Sequence, residues 1–128
     1  MKKRVCAFLC MQDEAWIPAV AYLKEEMGFE AVDFIGGGGI VKPLADAAVN
    51  FDRSALIRYW ESSATVSVKE NGACVIAVMA HIGCKGNKVS KAVQDNHLRL
   101  AGETLNSFAL GVPVIRLLGE TDGSFKLV

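Results

Sequence analysis

Ala73-Cys74-Val75-Ile76-Ala77-Val78-Met79-Ala80, followed by His81-Ile82-Gly83-Cys84-Lys85-Gly86-Asn87, is the stretch that decides the fold. An unbroken apolar run that stops at a glycine-bearing turn reads as a strand covered on both faces, because a half-exposed strand would alternate apolar with polar. Strands of that kind belong to parallel sheets with helices on each side. Arg4–Leu9 has the same character, and Cys10 ends it.

Working outward, the chain alternates such strands with helical patterns. Pro18 opens a predicted helix that runs to Met27 with Gly28 as its stop, since proline suits a first helical turn, and Ala19, Val20, Leu23 and Met27 form its apolar face. Strand two is Ala31–Ile35, ending in Gly36-Gly37-Gly38-Gly39. A short helix follows at Leu44–Val49. Asp52 or Ser54 then caps a helix carrying Leu56, Ile57 and Trp60, and a further helical stretch spans Ser63 to Asn71. A long helix is predicted from Lys88 to Leu110, closed by Gly111, with Val89, Val93, Leu100, Ala101, Leu105 and Phe108 on its inner face. Val114–Leu118 is the fourth strand, and Thr121-Asp122-Gly123 turns the chain into a last one, Phe125–Val128.

Strands separated by helices imply right-handed crossovers and one α/β domain over residues 1–128. The expected sheet order is 2-1-3-4, with the last strand antiparallel on the edge. The carboxyl ends of strands one and three then form the switch point where open α/β sheets bind their ligands. Cys10, His81 and Cys84 are placed there. One imidazole and two thiolates suit a tetrahedral zinc ion with a fourth position left for water or a carboxylate. Cys6 and Cys74, inside apolar runs, read as small buried hydrophobes. His97, in register with Val93 and Leu100 or Ala101, reads as a core or interface histidine.

Composition limits the rest. Fourteen basic and fourteen acidic residues cancel, which gives no electrostatic reason to expect nucleic acid or an anionic membrane as partner. Hydrophobic residues make up 52% of the chain and mean hydropathy is +0.28, on the apolar side. A sheet buried on both faces accounts for this, with an oligomer interface as a further contributor, for which Trp16, Tyr59 and Trp60 are candidates. The basic start, Met1-Lys2-Lys3-Arg4, precedes an apolar segment too short for a signal peptide, and no run reaches the roughly 18 residues of a membrane span. A cytoplasmic protein with reduced cysteines is the expectation. The tetraglycine lacks the Lys-Ser/Thr tail of a phosphate loop and does not fit a dinucleotide fingerprint. Close backbone approach beside the metal pocket suits it better.

The segments Cys10-Met11-Gln12-Asp13-Glu14-Ala15-Trp16-Ile17-Pro18 and Val75–Asn87 resemble the beta-class carbonic anhydrases and their short bacterial relatives, over about Val5 to Leu118. That resemblance implies zinc held by Cys10, His81 and Cys84. It also implies a homodimer, and a lyase activity in which zinc lowers the pKa of a bound water to about 7 so that hydroxide converts carbon dioxide to bicarbonate. The family follows its first cysteine with Cys-x-Asp-x-Arg, whose aspartate binds zinc or, held by the arginine, accepts a hydrogen bond from the hydroxide. Here Gln12 stands at the aspartate position and Glu14 at the arginine position, with Asp13 between them. Asp13 is the candidate catalytic residue, as fourth ligand or proton acceptor, and equally a capping residue at a helix start; Arg53 is a candidate replacement for the missing cation. A non-catalytic zinc-binding domain, structural or sensory, and a zinc hydrolase of another small substrate are the alternatives.

Overall fold

The computed structural model describes residues 3–51 and 54–128. Five strands form one sheet in the order β2-β1-β3-β4-β5. These are β1 (Arg4–Cys10), β2 (Ala31–Gly37), β3 (Val75–His81), β4 (Val114–Gly119) and β5 (Phe125–Leu127). β1 pairs in parallel with β2 and β3, β3 pairs in parallel with β4, and β5 runs antiparallel to β4. The expected order and the antiparallel edge are both present.

Alternate residues of the central strands feed two cores. Phe8, Ile76, Val78 and Leu118 face a layer built by α2 (Val41–Asn50), α3 (Ala55–Thr65) and α4 (Lys91–Ser107). Val5, Ala7, Leu9, Ala77, Met79 and Leu117 face α1 (Asp13–Glu25), which contributes Ala15, Ala19 and Leu23. β1 has its last six residues buried, as its uninterrupted apolar sequence requires.

Several boundaries differ from the sequence reading, each for a local reason. α1 begins at Asp13, so Pro18 lies inside it rather than at its start. The Gln12 carbonyl accepts from the Ala15 and Trp16 amides at 3.0 Å, and Asp13 and Glu14 occupy the first turn, where the helix dipole favours acidic groups. α2 starts three residues before the expected Leu44. Ser54 caps α3 by accepting from the Ile57 amide; Asp52, the other expected cap, lies outside the described residues. The second helical stretch after Ser63 is a single π turn, Val66–Glu70, running on directly from α3. It buries Ser67, which donates to Asp33 at 2.7 Å.

α4 is shorter than predicted, and its inner face differs in the amino-terminal half. Ser90 caps it, and Val89 and Val93 are exposed. Ala101, Leu105 and Phe108 are buried as expected, Leu100 is half-buried, and Gln94, Leu98 and Thr104 join the inner face. Two buried polar residues, invisible to a count of apolar positions, set this phase: Thr104 donates to the Leu44 carbonyl at 2.6 Å, and Gln94 reaches the end of β3. Cys74 also departs from its reading. It precedes β3 and is exposed, with its thiol on the Arg4 carbonyl. Trp60 belongs to the core, Trp16 is half-buried and Tyr59 is exposed. No helix among the described residues is long and apolar enough to cross a membrane.

Candidate metal centre

β1 and β3 lie side by side and point the same way, so their carboxyl ends arrive together. Cys10 is the last residue of β1 and His81 the last of β3. The chain then turns through Gly83, whose φ of +83° is the left-handed conformation that glycine adopts without strain, and returns Cys84 to the site. Cys10, His81 and Cys84 are all buried, and their ligand atoms lie within 4.8 Å of one another. The two sulfurs are 3.8 Å apart.

Two observations fit this cluster to a metal ion. The Nε2 atom of His81 is buried and has no hydrogen-bond partner in the protein, a state that is costly unless a ligand satisfies it. The donor set itself, two thiols and one imidazole, is the soft and borderline set that zinc takes. Burial lowers the pKa of His81, partly offset by the Glu14 charge, and so favours the neutral ring that binds metals. Burial, followed by the proximity of Cys10, raises the Cys84 thiol. A cation displacing those protons would relieve the penalty. Cys6, off the site, is pushed up to about 11 by burial, in keeping with an inert core thiol.

The loop carrying Cys84 is braced from behind. Gln94 donates through Nε2 to the Asn87 carbonyl at 3.1 Å and the His81 carbonyl at 3.4 Å. The Asn87 side-chain amide meets Gln94 Oε1 at 3.4 Å and His97 Nδ1 at 2.9 Å. His97 thus contacts Asn87 in the loop that carries Cys84 and is not part of the Cys-His-Cys cluster. From the other side Gly39, with φ of +59°, packs its backbone on that of Gly86; a Cβ on Gly86 would stand 2.6 Å from the Gly39 nitrogen. The tetraglycine therefore serves the close approach expected of it.

At the β1 end, Gln12 and not Asp13 reaches the site. Gln12 Oε1 lies 3.7 Å from Cys10 Sγ and accepts from the Lys85 amide at 3.0 Å, while its Nε2 donates to Glu14 at 2.7 Å. Asp13 is exposed in the first turn of α1, outside the Cys-His-Cys cluster. Arg53 lies outside the described residues. Sequence reasoning had no signal for Gln94, a polar residue in a helix, whereas Asn87 and Gln12 both stood within the quoted motifs. A cleft of about 460 Å³, lined by Cys84, Lys85, Asn87 and Lys88 among others, opens beside the cluster.

Comparison with known proteins agrees with this architecture. The structure resembles the beta-carbonic anhydrase isoform I of the protozoan Trichomonas vaginalis, with a TM-score of 0.62 and 14% identity, covering 97% of this chain and 80% of that one. It also resembles the beta-carbonic anhydrase CafA of the fungal pathogen Aspergillus fumigatus, with a TM-score of 0.55 and 11% identity, covering 99% and 75%. At such identities the likeness is one of fold. Among curated proteins none matches the chain in sequence. The family model described as "Putative carbonic anhydrase" matches residues 1–128, and the chain belongs to that family.

Proposed function

We propose that residues 1–128 form a single zinc-binding domain in which Cys10, His81 and Cys84 hold the ion, and that it hydrates carbon dioxide reversibly. The observation that carries this reading is the buried, unpartnered His81 Nε2 within reach of two thiols at the switch point of the sheet. When bound, zinc supplies Lewis acidity that makes a water acidic near neutral pH. The protein's own residues do the rest. The β1 and β3 ends fix the ligand atoms, Gln94 and Asn87 hold the Cys84 loop closed, and the cleft at Lys85 and Lys88 admits a small molecule.

Asp13, on the first turn of α1 next to Gln12, is the candidate proton acceptor at the surface, since its exposure allows exchange with solvent. Zinc analysis of the purified protein, combined with stopped-flow carbon dioxide hydration, tests the proposal. About one ion per chain with a hydration rate above buffer is the expected result; zinc with no hydration would favour the non-catalytic alternative. That second reading has its own support, because an uncharged Gln12 stands where the family has a carboxylate.

A homodimer fits the exposed apolar surface beside the edge strand β2. Met11, Trp16, Val20, Val32 and Phe34 line a groove of about 520 Å³ there. Reduced thiols throughout are compatible with a cytoplasmic setting.

A further inference from the structure

Gln12 is half-buried beside Cys10, and it is engaged at both ends of its amide. Its oxygen takes the Lys85 N–H, and its nitrogen donates to the Glu14 carboxylate. Both contacts have a direction: the amide oxygen is turned toward the cysteines, 3.7 Å from Cys10 Sγ, and the carboxylate is drawn in behind it. From the arrangement of these groups we infer that Gln12 and Glu14 act together as a selectivity device, Gln12 positioning the Glu14 carboxylate beside the ligand cluster so that the metal site admits neutral small molecules in preference to anions. The inference rests on the metal reading above and specifies the class of molecule that the fourth position takes.

The charges near the cluster make the case. Lys85 and Lys88 line the cleft and would by themselves draw anions toward a bound cation. Glu14 opposes them. It is an exposed carboxylate that accepts from the Gln12 amide, and it is charged at neutral pH as glutamates ordinarily are. Its charge is also felt at His81. Asp13, adjacent and exposed, adds a second carboxylate on the same turn. A neutral molecule is indifferent to this arrangement. An anion loses part of the attraction that the lysines and metal would otherwise give it.

The test uses the full chain loaded with cobalt(II), with azide as the anionic probe and imidazole above neutral pH as the neutral one, both followed by the cobalt absorption spectrum. Glu14→Gln should tighten azide about three- to ten-fold at low ionic strength while leaving imidazole affinity unchanged. The double variant Asp13→Asn with Glu14→Gln should tighten it further, and Glu14→Asp should stay near the parent. Raising the salt should shrink the azide difference, as it must for exposed charges. Equal azide affinity in the parent and both neutralised variants, with cobalt retained, would overturn the inference and leave the metal site standing. Parallel shifts in azide and imidazole would also overturn it, by showing a change of shape and not of charge. Failure of the parent to take up cobalt or zinc would instead remove the metal reading itself, and the inference with it.

Discussion

After β3 the chain is fastened on every side. The Ile82 amide bonds the Gly119 carbonyl, Gln94 holds the carbonyls of His81 and Asn87, and Gly86 is pressed on Gly39. After β1 the fastening is lighter: the Met11 amide on the Gly37 carbonyl at 3.2 Å, and the Gln12 side chain on Lys85. The difference follows from where the proposed ligand atoms stand. Cys10 is still within the strand, opposite Gly37 in the ladder, so the sheet already fixes it. Cys84 lies three residues beyond β3, in a turn that has no ladder of its own. A loop residue must be ordered by other contacts, at a cost of roughly 1–2 kcal/mol of backbone entropy per residue. Preorganisation is spent where the sheet does not supply it.

The largest effect in this comparison should come from the proposed loop ligand, Cys84. Cys84→Ser should lower zinc affinity by more than about 100-fold, because a hydroxyl is a hard and weakly acidic substitute for a thiolate. Chelator competition measures it. The same titration should show affinity falling as pH falls, since burial and the neighbouring Cys10 raise the Cys84 thiol and its proton competes with the ion. Affinity that stays flat between pH 8 and pH 6 would show that the thiol is not a ligand.

Gly39→Ala attacks the loop from outside. The left-handed φ of +59° alone costs an L-residue about 1–2 kcal/mol, and the new methyl meets the Gly86 backbone, which cannot rotate away as a side chain would. A loss of about 2–4 kcal/mol in chemical denaturation is expected. Gly28→Ala is the control, because its φ of +76° carries the same strain with open space around the Cβ. Equal losses in the two variants would mean that the contact with Gly86 contributes nothing.

The parts of the molecule that the sequence displays are those where one physical demand dominates. β1 and β3 are legible because strands covered on both faces must be apolar throughout, and the proposed ligands Cys10 and His81 end them, with Cys84 three residues on. The sheet order follows from crossover handedness and the short final turn. What stays hidden has two demands in conflict. In α4 the inward face includes Gln94 and Thr104, whose polarity conceals their burial, while the apolar Val93 is exposed, as is Val89 just before the helix. In α1 the Pro18 ring suggests a helix start, yet the acidic residues before it and the Gln12 carbonyl begin the helix earlier. Cys74 has apolar neighbours on both sides, but the sheet starts one residue later and leaves it at the surface. It should accordingly react with a thiol reagent in the folded protein while Cys6 stays protected. Protection of Cys74 equal to that of Cys6 would place it inside the strand after all.

Truncating the two glutamines should produce the smallest effects and compare the two strand ends most directly. Gln94→Leu removes the donor to the carbonyls of His81 and Asn87, leaving both buried without it, and should lower zinc affinity about ten-fold. Gln12→Ala removes an acceptor from the exposed Lys85 amide, which water can replace, so a loss of about two- to three-fold is expected. Both side chains restrain one segment, at Lys85 and at Asn87, so the variants should not be independent. With either tie gone the other still limits the loop; with both gone the segment carrying Cys84 is released. The double variant should therefore lose more than the product of the single losses. A strictly additive double variant would mean that the ends are braced separately, with Gln12 serving Cys10 and Glu14 alone.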